Sequence, residues 1–348
     1  MGTHTRYFIL RKDDLNSFIV KLSRNHKVVA PVSKGYGNYA FTEVTSANDI
    51  ALKHIPTILP PKKYFLPQRE TMLSFGTGHV ENAEALLEHE NTVIFGVHTC
   101  DLNGIQCLNI VFSERPRDYN YLRRKDNITV IGLECTEYCD EHASCNLMNS
   151  NFPNGGYDLF FTDMGEHFVV HVNTQAGDDL VDSTNLFKPA TPAQMEALYA
   201  ARDAKRSRFK DEVNVDRKEL PAIFDKSENS PVWKAIGDKC LGCGNCTNVC
   251  PTCYCFDITD TLNLDLKSGR RVRTWDSCEV ETFAKVAGGE NFRSGQAERL
   301  RHRHYRKFRF SLGKYYRFFC TGCGRCTRAC MAGIRLKETL SALVKEAA

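Results

Sequence analysis

No apolar run in these 348 residues approaches the roughly 20 residues a membrane-spanning helix needs. The longest clean runs, such as Val93 to Val97, have the size of a strand. No secretory signal is evident either. Met1 to Arg6 leads into four apolar residues, Tyr7-Phe8-Ile9-Leu10, and charge then resumes. Charge of one sign is also lacking: 46 Lys+Arg against 42 Asp+Glu leave a formal +4, too little for a global pull toward nucleic acid or membrane. Nothing resembles a catalytic triad or a paired-carboxylate site. The expectation is a cytoplasmic globular protein of about two or three domains, not a channel, a secreted scaffold or a disordered regulator.

Cysteine is missing from the first 99 residues and again from 146 to 239, yet the chain holds 16. Five fall between Cys100 and Cys145 and eleven between Cys240 and Cys330. A reducing cytosol disfavours structural disulfides, so these thiols read as metal ligands, redox centres or core filler. The gap suggests two metal-rich regions on separate domains.

The fold class expected is α+β. Residues 1–185 alternate strand and helix signals. Leu15, Phe18, Ile19 and Leu22 recur with a helical period, and Lys27 to Val32 reads as a strand. Thr92 to Val97 and Ile128 to Leu133 are β-branched runs, with a helix, Asn103 to Val111, between them. Tyr157 to Phe161 and His167 to Val172 read as a hairpin. Residues 186–230 form a helical linker: Thr191-Pro192-Ala193 opens a helix to Lys210, and the polar stretch Asp211 to Asn229 follows. Residues 231–348 form a cysteine-dense domain that ends in a helix, Leu336 to Glu346.

Two cysteine runs share one spacing. Cys240, Cys243, Cys246 and Cys250-Pro251 follow C-x2-C-x2-C-x3-C-P; Cys320, Cys323, Cys326 and Cys330 repeat it with Met331 in the proline position. In ferredoxin-type runs three cysteines wrap one 4Fe–4S cluster and the fourth ligates the other. The expected sets are therefore Cys240, Cys243, Cys246 with Cys330, and Cys320, Cys323, Cys326 with Cys250. Structural zinc also uses C-x2-C pairs, but rarely three cysteines in one tight run. A zinc scaffold or nucleic-acid module is the competing reading. The glycines between the ligands let backbone N–H groups approach sulfur.

Residues 251–319 separate the runs, a large insertion for a ferredoxin-like unit. It carries Cys253, Cys255 and Cys278. Three thiols are one short of a cluster. They share a site with a ligand from elsewhere, are redox-active, or are simply buried. In the first region both β-branched strands run into a cysteine, Cys100 and Cys135. In a parallel sheet these would emerge at one carboxyl edge, with Cys139 and Cys145 in the following loop. That predicts a third Fe–S site. Cys107 sits mid-helix and reads as core.

Two features are discounted. Gly35-Tyr-Gly37-Asn-Tyr-Ala40 matches a short dinucleotide fingerprint, but the chain continues as strand, so a hairpin loop is the better reading. Arg293 to Arg317 holds nine Lys/Arg against one acid, Glu298. The charge is local, so it faces anionic clusters, an acidic partner or solvent rather than nucleic acid.

The combination CLGCGNCTNVCPTCYC (240–255), Trp275-Asp-Ser-Cys278, Ala287-Gly-Gly-Glu-Asn-Phe292 and Cys320 to Cys330 resembles the beta subunit of cytosolic NAD(P)-linked NiFe hydrogenases, or sulfhydrogenases. A related component of the anaerobic sulfite reductases is similar. The likeness extends through Pro60-Pro-Lys-Lys-Tyr-Phe65, Phe95-Gly-Val-His-Thr-Cys-Asp101 and Gly156-Tyr-Asp-Leu-Phe-Phe161, nearly the whole chain. It implies cysteines in family positions at Cys100, Cys135, Cys139, Cys145, Cys253, Cys255 and Cys278. It implies an electron-transfer subunit of an oxidoreductase complex, not catalytic alone. Such a chain holds two 4Fe–4S clusters and a third Fe–S cluster, and binds neither flavin nor NAD itself. Its partners would be a flavoprotein that binds NAD(P)H and a catalytic NiFe hydrogenase subunit. The alternative is the same role in a sulfite, polysulfide or heterodisulfide reductase.

Overall fold

Alternation of short β-branched runs with helices builds the first half of the chain. The computed structural model describes residues 6–78, 83–87, 90–210 and 213–347. In order come β1 (Tyr7–Arg11), α1 (Leu15–Leu22), β2 (Lys27–Ser33), β3 (Tyr39–Glu43), α2 (Lys62–Phe65), β4 (Arg69–Gly76) and β5 (Ala83–Ala85). Next are β6 (Thr92–Val97), α3 (Thr99–Ser113), α4 (Tyr119–Asp126), β7 (Ile128–Leu133), β8 (Leu159–Asp163), β9 (His167–Val172), α5 (Gln175–Thr184) and β10 (Lys188–Pro189). The second half holds α6 (Pro192–Arg208), α7 (Leu220–Lys226), α8 (Pro231–Gly237), α9 (Asn245–Asn248), β11 (Phe256–Leu262) and β12 (Ser268–Trp275). It closes with α10 (Gln296–Phe308), α11 (Phe310–Tyr315), α12 (Arg325–Arg328) and α13 (Leu336–Ala347).

Eight strands form one sheet in the order β10-β1-β9-β8-β7-β6-β2-β3. Its centre is parallel: β2 with β6, β6 with β7, β7 with β8. Every residue of β6 is buried, as expected for a strand covered on both faces. Phe18, Ile19 and Leu22 of α1 pack with α5 on one face. Leu102, Ile105 and Leu108 of α3 pack with Tyr121 of α4 on the other. Each such side chain contributes on the order of 1.5–3 kcal/mol by leaving water. The parallel pairing of β6 with β7 brings their carboxyl ends together, as the sequence predicts. The Gly35–Gly37 segment is a hairpin turn between the antiparallel β2 and β3, and β8 and β9 form the second hairpin. The chain is thus mixed helix and sheet.

Two features differ from the sequence reading. The polar stretch after Lys210, expected as linker, carries α7, whose Leu220 and Phe224 are fully buried. They pack with Trp233, Phe308 and Leu340 in a third core. Its apolar residues, Leu220 to Phe224, form one short run with a proline between charged flanks, too short for a period to stand out. The 251–319 insertion is also no free-standing loop. Its hairpin β11–β12 pairs with β4 from the first half, in a sheet ordered β11-β12-β4-β5.

That second sheet is fastened by buried charge. Arg273 on β12 is fully buried and pairs with Glu70 on β4 at 2.5 Å. Arg124 of α4 reaches the same carboxylate at 2.7 Å, and Asp118 also pairs with Arg273. Removing one partner of a buried pair strands the others, which costs about 3–5 kcal/mol. Exposed pairs contribute little, because water screens them. Glu70→Gln is therefore expected to lower stability by about 3–5 kcal/mol in denaturant melts. Asp260→Asn, which breaks the exposed Arg271–Asp260 pair on the same sheet, is expected to leave the melt almost unchanged. Equal effects would refute this account.

Candidate metal centres

The two ferredoxin-type runs fold alike. Gly242 and Gly244 have φ of +63° and +75°; Gly322 and Gly324 have +62° and +75°. This left-handed backbone curls each loop and hands it to a four-residue helix, α9 or α12. The curl aims backbone N–H groups at sulfur. Gly242 N–H donates to Cys240 Sγ at 3.4 Å, Gly322 N–H to Cys320 Sγ at 3.4 Å and Ile334 N–H to Cys330 Sγ at 3.3 Å.

Four cysteine-lined sites result. Cys240, Cys243, Cys246 and Cys330 line one cavity, with Cys326 at its edge and apolar walls from Leu241, Leu300, Ile334 and Leu336. Cys250, Cys320, Cys323 and Cys326 line a second. Each cavity brings together the four thiols of one crossed set. Cys253, Cys255 and Cys278 line a third, of about 300 Å³. In the first half, Cys100 opens α3 directly after β6, and Cys135 follows β7. Cys135 and Cys139 lie within hydrogen-bond reach of each other, and Cys100 and Cys145 are electrostatic neighbours of Cys139. Cys107 stays apart, buried in α3 with its thiol toward Phe318 O at 3.8 Å.

Burial pushes the Cys145, Cys246 and Cys320 thiols up to about 12. Cys250 goes the other way. A hydrogen bond from Cys253 holds it well below its ordinary value against burial, and Lys307 assists. Cys135 is likewise depressed by a hydrogen bond from Cys139, against burial, with help from His98.

The cations come from α10. Arg299, Arg303 and Lys307 repeat every four residues, so they share one face of the helix, and all three are buried. Arg303 lines the first, second and third cavities. Lys307 Nζ reaches Cys250 Sγ at 3.3 Å, Cys253 Sγ at 3.2 Å and Thr252 Oγ1 at 2.6 Å. Burial disfavours its charge, but those two sulfurs outweigh burial and raise its pKa. Both carboxylate oxygens of Glu279, and Nε of Arg299 and Arg303, are buried without a hydrogen-bond partner among the described residues. Burial pushes Glu279 up to about 7. Four thiols around one cavity, N–H groups aimed at sulfur and buried cations beside it form a donor set that fits a thiolate-ligated Fe–S cluster.

The sequence reading had the basic stretch Arg293 to Arg317 facing anionic clusters, an acidic partner or solvent, and Arg303 and Lys307 bear out the first of these, although which face of the helix turns inward was not read. It also missed His98, whose ring lies with the Cys135 and Cys139 sulfurs inside a 4.8 Å group. His98 stacks on His54 at 3.9 Å. The signal was present in Val-His98-Thr-Cys100, but a lone buried His before a helix reads as core.

The first-half cysteine loop is clamped to the second ferredoxin loop. Arg325 pairs with Asp101 at 2.5 Å and donates to Thr57 O at 2.7 Å. Ser144 N–H donates to Gly322 O at 2.7 Å. A Cβ on Gly322 would lie 2.3 Å from Ser144 O. Gly322→Ala therefore combines backbone strain of about 1–2 kcal/mol with an overpacking cost of about 1–3 kcal/mol. It is expected to lower both melting temperature and bound iron. Gly289, at φ +87° with nothing within 4 Å, supplies the control: Gly289→Ala bears only the strain and keeps its iron. Equal iron loss in the two variants would count against the clamp.

Comparison with known proteins agrees with this geometry. Residues 239–334 match the family model described as a 4Fe-4S dicluster domain. The chain is 34% identical over 336 residues to sulfhydrogenase 2 subunit beta of Pyrococcus furiosus, a match covering 96% of this chain and 97% of that protein.

Proposed function

Because this chain belongs to the sulfhydrogenase beta-subunit family, we propose that it is the electron relay of a multisubunit oxidoreductase, set between a flavoprotein that binds NAD(P)H and a NiFe catalytic subunit. The observation that carries the reading is the pair of crossed thiol quartets, each enclosed and bordered by Arg303. In this reading Cys240, Cys243, Cys246 and Cys330 hold one 4Fe–4S cluster, and Cys250, Cys320, Cys323 and Cys326 hold the other. Cys100, Cys135, Cys139 and Cys145 hold a third, with His98 against Cys135. Bound clusters supply one-electron carriers.

The chain's own residues do the rest. Leu241, Leu300, Ile334 and Leu336 exclude water from the first cavity. Arg303 and Lys307 offset negative charge at sulfur, which favours the reduced state. The Arg325–Asp101 clamp keeps the first-half thiols beside the second quartet. Cys243 is exposed, and Leu241 and Met331 beside it are 62% and 78% exposed. That rim is where this reading seats a partner's carrier. The reading keeps the cytoplasm as location. No helix among the described residues is long and apolar enough to cross a membrane.

The test is anaerobic co-purification with the products of neighbouring genes. The two quartets predict roughly eight iron atoms and the first-half site roughly four more. Cys100→Ser with Cys135→Ser is expected to lose about four, and the intact complex to couple hydrogen turnover to pyridine nucleotide. Sulfite or polysulfide reduction without hydrogen turnover would favour the other reductases. Bound zinc without iron would sink both readings.

A further inference from the structure

The third cavity has no place in the ferredoxin pattern, yet like the two that do it is lined by cysteines and by cations of α10. Cys253, Cys255 and Cys278 line it, with Arg303, Arg306 and Lys307 from α10. Cys255 and Cys278 are within hydrogen-bond reach of each other, although they come from opposite ends of the β11–β12 hairpin. The pairing of Phe256 with Trp275 brings those ends together. Lys62 of α2 holds the near wall: its Nζ donates to Cys253 O at 2.9 Å and sits 4.2 Å from the Trp275 ring centroid.

The shape argues against a single ion. Zinc binds sulfur at about 2.3 Å, so its ligands crowd within about 4 Å of each other. Among the described residues, a 4.8 Å single-ion grouping is met by His98, Cys135 and Cys139 alone. Three thiols facing three cations suit a polynuclear anion.

We propose that Cys253, Cys255 and Cys278 hold a further Fe–S cluster. Three thiolates leave one coordination position to a ligand other than cysteine. Thr252, Tyr254 and His302 line the same cavity and are the protein groups available to it. The site adjoins the second quartet through one ammonium, since Lys307 contacts both Cys250 and Cys253. The inference rests on the relay reading only in taking this chain to be one that acquires Fe–S clusters.

The experiment is iron and acid-labile sulfide analysis, with EPR, on the full chain purified anaerobically. The triple variant Cys253→Ser, Cys255→Ser, Cys278→Ser is expected to lose about four iron atoms relative to wild type and one EPR signal, while the others persist. An unchanged count overturns the proposal, as does zinc in place of iron. If the triple variant does not fold, Cys255→Ser alone is expected to shift or remove the same signal, and an unaltered spectrum overturns the proposal. Cys240→Ser with Cys243→Ser separates the two claims. If this pair loses iron and the triple variant does not, only the further cluster fails. If neither loses iron, the relay reading fails with it.

Discussion

Burying a guanidinium and an ammonium on one stripe of a helix costs several kcal/mol per ion unless negative charge lies close by. Arg303 and Lys307 of α10 are in that position, 6% exposed each. The facing charge is sulfur: Lys307 contacts Cys250 and Cys253 directly. Arg303 borders three cysteine cavities and donates to the Cys246 carbonyl at 3.3 Å. The reverse dependence also holds. Thiolates packed side by side repel one another, and in a low-dielectric interior that repulsion is large. Neither set is tolerable in the interior without the other, so the position of α10 fixes where the cysteine loops can lie.

The neighbouring stripe of the same helix explains how that position is held. His304 and Phe308 are buried toward Trp233 and Phe224. Here α10 packs on α8, α7 and α13 in an ordinary apolar core. One helix thus carries an apolar stripe that anchors it and a cationic stripe that serves the thiols. The 251–319 insertion closes the far side, and its β12 is pinned to β4 through Glu70 and Arg273. The first-half sheet and the cysteine-rich half are thereby fastened at several points, among them that ion pair, Arg325–Asp101 and Arg328–Asp140.

Much of this was legible in the sequence. The β-branched runs gave β6 and β7, their parallel pairing gave the shared edge of Cys100 and Cys135, and the C-x2-C-x2-C-x3-C spacing gave the crossed quartets. Three things were not legible. The helix at Leu220–Lys226 lay hidden because its apolar residues form one short run, Leu220 to Phe224, that contains a proline and is flanked by charge on both sides, so no helical period shows. Pairing of β4 with β12 joins residues about 200 apart, and period alone carries no partner information. The inward face of Arg299, Arg303 and Lys307 inverts the usual rule that charge marks solvent. The sequence offered anionic clusters as one of three things the Arg293–Arg317 stretch could face, but not which of its cations turn inward.

That inversion links folding to cofactor assembly. Thiols such as Cys246 and Cys320, pushed up to about 12 by burial, stay protonated unless iron replaces the proton. In that protonated state they offer Arg303 no anion. Iron bound at these thiols would release the protons and leave thiolate beside each cation, so that its binding energy would become folding energy. Glu279, buried and without a hydrogen-bond partner, holds the same balance from the opposite sign. Its carboxyl is pushed up to about 7 by burial despite Arg303 and Arg299 nearby. A carboxyl whose charge burial disfavours offsets those cations weakly, so most of the negative charge that balances Arg303 and Lys307 has to come from sulfur.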